Sequence, residues 1–267
     1  MSRTVTYTAL VLRCRPSGES NSEVTLLTAE EGVIKATVFG GAKSKLRAHS
    51  AQYNSGNVWV YRDKSKDYAK LSDFDVHSWR AGLRELYERT VAASAVAETI
   101  LSSHGGGGEW KTALNMAVET LDALENANEE QCPFLLVHFL WRWAGFLGIQ
   151  PHLNCCADCG KSAGDDLLLF NVREGSVFCA GSCAANGVAS AYSEPQSGAG
   201  STPHSSFLTL NPGCRKWLSA VSEIEPAQLY RYSMDKKSFN EAKSLVTAIL
   251  SEALGNTRVN VWMNNLT

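Results

Sequence analysis

The sequence predicts an α+β chain of several domains: a small amino-terminal β-barrel, then a helical domain interrupted by a compact four-cysteine module. Three observations carry this reading. The amino-terminal third holds short runs of β-branched and aromatic residues. The pattern then switches near Arg80 to an apolar repeat of three to four residues. Four cysteines stand as Cys156-x2-Cys159 and Cys179-x3-Cys183, with 19 residues between the pairs.

Thr6 to Arg13 and Glu23 to Thr28 are the first two runs, strand-like in composition and without helical period. Glu30-Glu31-Gly32 makes a turn into a third, Val33 to Phe39. Alternation there puts Ile34, Ala36 and Val38 on one face and Lys35, Thr37 and Phe39 on the other. Asn57 to Arg62 and Tyr68 to Val76 complete the set across the charged turn at Asp63 to Asp67. Five short strands in so few residues suggest a small barrel, and the OB-fold is the common form that meets nucleic acid.

From Arg80 onward, Leu83, Leu86/Tyr87, Val91, Ser94, Ala97 and Leu101 predict one amphipathic helix. The glycines at 105–108 end it. They have no Gly-Lys-Ser/Thr after them, so a helix–helix loop is expected rather than a phosphate cradle. Glu109 to Glu125 and Gln131 to Leu147 are the next helices, the second apolar almost all round and therefore central, with Trp141, Trp143 and Phe146 as core aromatics. After the cysteines, Ser190 to Ser206 is dense in Ser, Gly, Ala and Pro and reads as a linker or long loop. Helix resumes at Pro212 to Val221 and Ser238 to Leu254. The domains expected are 1–79 for the OB-fold, 80–153 for a helical bundle, and 154–187 for the inserted cysteine module. Residues 188–206 form the linker or loop, and 207–267 the carboxyl-terminal helices that complete the helical domain.

Two short cysteine pairs supply the four soft ligands that tetrahedral structural zinc requires. Gly160 eases the first knuckle, and Leu167 to Phe178 reads as a hairpin turning at Glu174-Gly175, the layout of a zinc ribbon. The ligands assigned are Cys156, Cys159, Cys179 and Cys183, and the ion is structural Zn2+. A redox Cys-x-x-Cys needs one pair at a helix start, not two matched pairs. A zinc deaminase would need His-x-Glu and a proline before its Cys-x-x-Cys; here Asn154-Cys155 precede Cys156. Disulfides are disfavoured because no signal-peptide pattern opens the chain. Cys155, beside Cys156, is the alternative ligand in a shifted register, and His152 is read as a solvated or core-edge histidine.

The chain has 267 residues, 44% of them hydrophobic and 19% charged, a globular composition. Its longest apolar stretch, Phe134 to Trp143, is too short to span a bilayer, so a cytoplasmic location without a membrane partner is expected. The net charge of −2 is uneven: residues 1–80 carry 12 Lys+Arg against 8 Asp+Glu, and residues 81–267 carry 13 against 19. That asymmetry makes the barrel the part expected to meet a polyanion. No nucleophile elbow, Walker motif, dinucleotide fingerprint or His-Glu-x-x-His is present, and a thiolate-saturated metal has no open position for water. A binding protein is expected rather than an enzyme. The candidate DNA-binding residues are Lys43, Lys45 and Arg47 in the stretch Gly40 to Arg47, with Lys35 and Arg13 extending the patch. Phe39, Trp59 and Tyr61 are candidates for base stacking. The alternative is a zinc-ribbon adaptor that binds only protein, its basic loop merely solvated.

These residues, in this order, resemble the RecO family of bacterial recombination mediators over nearly the whole chain. Ser22-Glu23 to Thr28 with Glu31-Gly32 resembles the family's early hairpin, and Gly40 to Leu46 its basic glycine/serine loop. Leu147-Gly148-Ile149-Gln150-Pro151-His152-Leu153, followed by Cys156-x-x-Cys159-Gly160, Phe170, Gly175 and the second cysteine pair, is the most specific stretch. Glu174-Gly175 stands where many members have Gly-Gly. The resemblance implies an OB-fold that binds single- and double-stranded DNA without sequence preference and anneals complementary strands. It also implies the partners RecR and single-strand-binding protein (SSB), and through them RecA, in recombinational repair at the nucleoid.

Overall fold

The structure, a computed structural model, describes residues 4–40, 44–63, 65, 68–180, 183, 207–255 and 258–265. Five strands, β1 (Thr4–Ser17), β2 (Asn21–Thr28), β3 (Gly32–Val38), β4 (Ser55–Asp63) and β5 (Tyr68–Ser78), close a barrel in the order β1-β2-β3-β5-β4. All pairings are antiparallel except the β3–β5 seam, where Thr37 lies opposite Lys70 in a parallel contact. Alternation sorts the side chains as the sequence predicts: Ala36 and Val38 join Tyr7, Val24, Leu26, Val58, Val60, Leu71 and Phe74 in the core, with Ile34 packed against it. Each fully buried aliphatic or aromatic side chain there contributes about 2 kcal/mol.

The outer face is apolar too on β1 and β2, where Leu10, Leu12 and Leu27 are buried. Helices α2 (Tyr87–Ser102) and α3 (Trp110–Glu125) contact these strands. Gly32, at φ +71°, is needed at this contact, because a Cβ there would lie 2.6 Å from Trp110 Nε1. Lys35 and Lys70, on the two sides of the β3–β5 seam, are exposed to solvent.

The sequence pattern from Arg80 to Leu101 gives two elements rather than one helix, a 3-10 turn at Ala81–Arg84 and then α2. Tertiary anchors impose the break. Arg80 adopts a left-handed backbone (φ 42°) while its guanidinium bonds Asp122, the Tyr53 carbonyl and Ser55. The Gly82 N–H donates to Glu125. Helix α4 (Gln131–Phe146) opens on a reciprocal cap in which Asn128 Oδ1 accepts from Gln131 N and Gln131 Oε1 accepts from Asn128 N, both at 2.9 Å. Trp141 and Trp143 are buried, as expected of core aromatics.

The basic stretch also departs from the expected loop. Lys45 and Arg47 stand on a short helix, α1 (Lys45–His49), and not on an open loop. The run Lys-Leu-Arg-Ala consists of strong helix formers, and Ser44 begins the turn by accepting from the Arg47 and Ala48 N–H groups. Lys43 lies outside the described residues.

The chain divides into two compact units, Met1–Phe139 with Val261–Thr267, and Leu140–Asn260. The second contains a three-stranded antiparallel sheet, β7-β6-β8, from β6 (Leu168–Asn171), β7 (Ser176–Cys179) and β8 (Phe207–Leu210). The third strand is not anticipated by the sequence reading. Helix α5 (Pro212–Val221) starts at the Asn211 cap with proline at its first turn, and α6 (Lys236–Leu254) starts at the Asp235 cap and ends at Gly255. Helix α7 (Arg258–Asn264) ends the described chain. The linker expected at 188–206 lies outside the described residues.

Candidate metal centre and nucleic-acid surface

The first cysteine knuckle forms because Gly160, at φ +67°, lets the chain reverse so that its N–H donates to the Cys156 carbonyl at 3.0 Å. The Cys156 N–H donates to the Lys161 carbonyl, also at 3.0 Å, closing the loop. The Ala157 N–H donates to the Val177 carbonyl at 2.8 Å, which ties the knuckle to β7. The hairpin β6–β7 turns where Asn171 Oδ1 accepts from the Arg173 and Glu174 N–H groups, and β7 delivers Cys179 at its last position. Cys156 and Cys183 are buried, Cys179 is half-buried and Cys159 is exposed.

The four sulfurs lie within 4.8 Å of one another, and Cys159 Sγ and Cys179 Sγ are 3.9 Å apart. A tetrahedral ion with Zn–S bonds near 2.3 Å places its sulfurs about 3.8 Å apart. The donor set therefore fits a single tetrahedral ion of soft preference. Cys155 is exposed and outside the cluster, in an isolated bridge with Ser162. His152 is exposed as well.

The electrostatics point the same way. Burial pushes the Cys156 thiol up, but N–H donors on Cys159, Cys179 and Asp158, with the Cys183 thiol, outweigh it and bring Cys156 down to about 6. The Cys179 N–H to Cys156 Sγ distance is 3.4 Å. Cys179 is pushed up to about 11 by burial and by the neighbouring Cys156 and Cys159. One thiolate forms easily; further ionisation within so small a space requires a compensating cation.

Helix α5 clamps this module. The buried Arg215 donates to the carbonyls of Leu153 (3.3 Å), Gly164 (3.1 Å) and Asp166 (2.6 Å), on both sides of the first knuckle. Its neighbour Lys216 bonds the exposed Asp165 at 2.7 Å.

On the barrel, Lys35 projects from the outer face of β3, with only a loose pair to Glu23 at 3.7 Å between two well-exposed side chains, an arrangement worth little energy in water. Lys45 is exposed on α1 and Arg47 half-buried there. Arg13 takes a different role: its guanidinium donates to Glu98 of α2 at 2.6 Å, so its charge is already matched within the barrel–helix contact.

Residues at the seam complete what the sequence reading began. Phe39 is 43% exposed, and Lys70 Nζ sits 5.3 Å from its ring centroid. The Tyr68 ring lies 6.4 Å from the same centroid, tilted by 58°. Lys70 stands opposite Tyr61 on β4, so Tyr61, Lys70 and Phe39 form a continuous row across the seam. A depression of about 460 Å³ beside it includes Lys35, Thr37, Arg62 and Tyr68. Arg62 is engaged, paired with Glu31 at 2.6 Å and stacked over Tyr7 at 5.4 Å. Lys70 and Tyr68 escape the sequence reading because only barrel closure brings β5 beside β3; the Thr37–Lys70 pairing has no local signature.

The architecture defines a multidomain protein with an OB-type barrel and a four-thiol module. More specifically, the chain belongs to the RecO family. The family description "Recombination protein O N terminal" matches residues 1–79, and "Recombination protein O C terminal" matches residues 84–262. Similar proteins named DNA repair protein RecO include one from Nostoc punctiforme, 27% identical over 67% of this chain and 63% of its own length. Another, from Desulfitobacterium hafniense strain Y51, is 26% identical over 96% of this chain and 90% of its own. The Bacillus subtilis protein is 30% identical over 64% of this chain and 65% of its own. The match thus spans a little under two thirds of the first and third of these relatives. Among the described residues no helix is long and apolar enough to cross a membrane.

Proposed function

We propose that this protein is a DNA-binding recombination mediator acting in DNA repair. In this reading it anneals complementary single strands and, with RecR, helps load RecA onto SSB-coated DNA. The observation that carries the proposal is the β3–β5 seam, where Lys35, Lys70, Phe39, Tyr68 and Tyr61 set cations beside aromatic rings. Cations neutralise backbone phosphates and rings accept unpaired bases without sequence preference. Holding two strands this way lowers their mutual repulsion while the first base pairs form, and pairing itself supplies the driving force. The activity is proposed to proceed without covalent chemistry.

Zinc is the proposed ion for Cys156, Cys159, Cys179 and Cys183, where it would supply a structural cross-link and no open coordination position. Arg215 and the β6–β7 hairpin hold the thiols in place around it.

Annealing of two complementary oligonucleotides, followed by fluorescence quenching with and without SSB coating, tests the function. The proposal expects the protein to accelerate duplex formation on coated strands with no nucleotide present. Unchanged annealing at protein concentrations that saturate the strands would refute it.

A further inference from the structure

We propose that Trp79 forms a second base-stacking contact for single-stranded DNA, at the opposite end of β5 from the Phe39–Tyr68 cluster; this rests on the DNA-binding reading above. Trp79 is 48% exposed, the most open tryptophan among the described residues. Exposure of one indole alone implies no ligand, but its broad π-face with a polar N–H at the edge suits a wet contact surface when it is oriented and flanked by cations.

The ring is held in position. His49 meets it nearly perpendicular, with centroids 5.1 Å apart and planes at 88°. His49 is itself fixed, its Nδ1 donating to the Phe74 carbonyl at 2.7 Å. A platform immobilised before binding loses little entropy on meeting a ligand.

Charge around the indole selects the ligand. Lys45 and His49 stand four residues apart on α1 and so share one helix face, which places an exposed ammonium one turn from the imidazole that contacts Trp79. Helix α1 carries Lys45, Arg47 and His49 and no carboxylate. The segment Ser78 to Arg84 likewise contains Arg80 and Arg84 and no acid; Arg80 is matched by Asp122, while Arg84 is exposed and donates to the Gln52 carbonyl at 2.8 Å. Asp75, four residues before the indole, is itself well exposed, with its Oδ2 3.5 Å from His77 Nε2. An exposed aromatic ring with the exposed cations Lys45 and Arg84 on the two flanking segments suits a ligand with flat π-faces on a polyanionic backbone, namely an unpaired stretch of DNA.

The location is separate from the seam. OB-type barrels take oligonucleotides on the β2–β3 face and the β1–β2 and β4–β5 loops. Tyr68 lies at the β4–β5 loop, whereas Trp79 follows the last residue of β5. Eleven residue steps of extended chain separate the two, up to about 35 Å.

The test uses fluorescence anisotropy with a labelled single strand and a blunt duplex of equal length, on the full chain and on Trp79→Ala, Trp79→Leu and Trp79→Phe. Stacking predicts that Trp79→Ala and Trp79→Leu weaken single-strand binding about five- to 100-fold without changing the salt slope, while Trp79→Phe stays near the parent. Duplex affinity should hold in all variants, because a paired base offers no free face; thermal melts near the parent value establish that each variant is folded. Salt-dependent binding by the parent with no loss in Trp79→Ala would overturn this inference and leave the proposed function standing. Equal losses on single strand and duplex, or parent-like binding by Trp79→Leu, would also overturn stacking. A parent that binds no single strand would remove the proposed function and this contact with it.

Discussion

Cys156→Ser is expected to abolish stoichiometric metal binding, whereas Cys155→Ser, one residue away, is expected to leave it intact. Cys156 is buried among three other thiols, its own thiol brought down to about 6, while Cys155 is exposed and outside the cluster. A structural tetrathiolate contributes on the order of 10–16 kcal/mol to the folding of its module, and a serine hydroxyl is a poor replacement for a soft ligand. Metal content after dialysis against a chelator should fall from one ion per chain to near zero in Cys156→Ser. Limited proteolysis should open new cleavage between residues 154 and 183 in the same variant. Equal metal content in the two variants would show that the register of ligands read from the structure is wrong.

Arg80→Ala is expected to destabilise the barrel-containing unit by about 4 kcal/mol, and Arg80→Met by about 2 kcal/mol. The Arg80 side chain is fully buried, with hydrogen bonds to the Tyr53 carbonyl (2.7 Å), Ser55 Oγ (2.9 Å) and Asp122 (2.6 Å). Removing it leaves a buried carbonyl and hydroxyl unsatisfied and, in alanine, a large cavity. Asp122 is half exposed and recovers hydration, so the ion pair adds little beyond this. Methionine restores most of the volume but none of the donors. Thermal melting should show a drop of about 10 °C for Arg80→Ala in a unit of this size, with Arg80→Met falling between. A melt unchanged in Arg80→Ala would mean that the contacts of Arg80 with the barrel and α3 do not support the fold.

The strands were legible because each residue's face is set locally. Ala36 and Val38 point in, and Lys35 points out, by a two-residue alternation that needs no distant partner. The four-thiol cluster was legible for a related reason: short Cys pairs converge through knuckles whose geometry is fixed by neighbours such as Gly160. What could not be read depends on partners far along the chain. Arg13 looks like a free cation until α2 brings Glu98, 85 residues away, to its guanidinium. Lys70 gains its place beside Phe39 only when β5 closes on β3. The interruption before α2 is imposed by Asp122 and Glu125 of α3. Strand β8 is four residues long and follows the low-complexity segment; pairing with β6 makes it a strand. Helix α1 is hard to read because a basic Gly/Ser stretch runs directly into its good helix formers.

The barrel is proposed to bind DNA through backbone phosphates. The most direct test is anisotropy of a labelled single-stranded oligonucleotide across a salt series, for the parent and for Lys35→Ala/Lys45→Ala/Arg47→Ala. Lys35, Lys43, Lys45 and Arg47, with Lys70 at the seam, give an expected log–log slope of roughly −3.5 at about −0.7 per phosphate contact. The triple variant, which keeps Lys43 and Lys70, should bind more weakly, with a slope of roughly −1.4. Absence of binding by the parent at low salt would contradict the claim, as would a triple variant with the parent's affinity and slope.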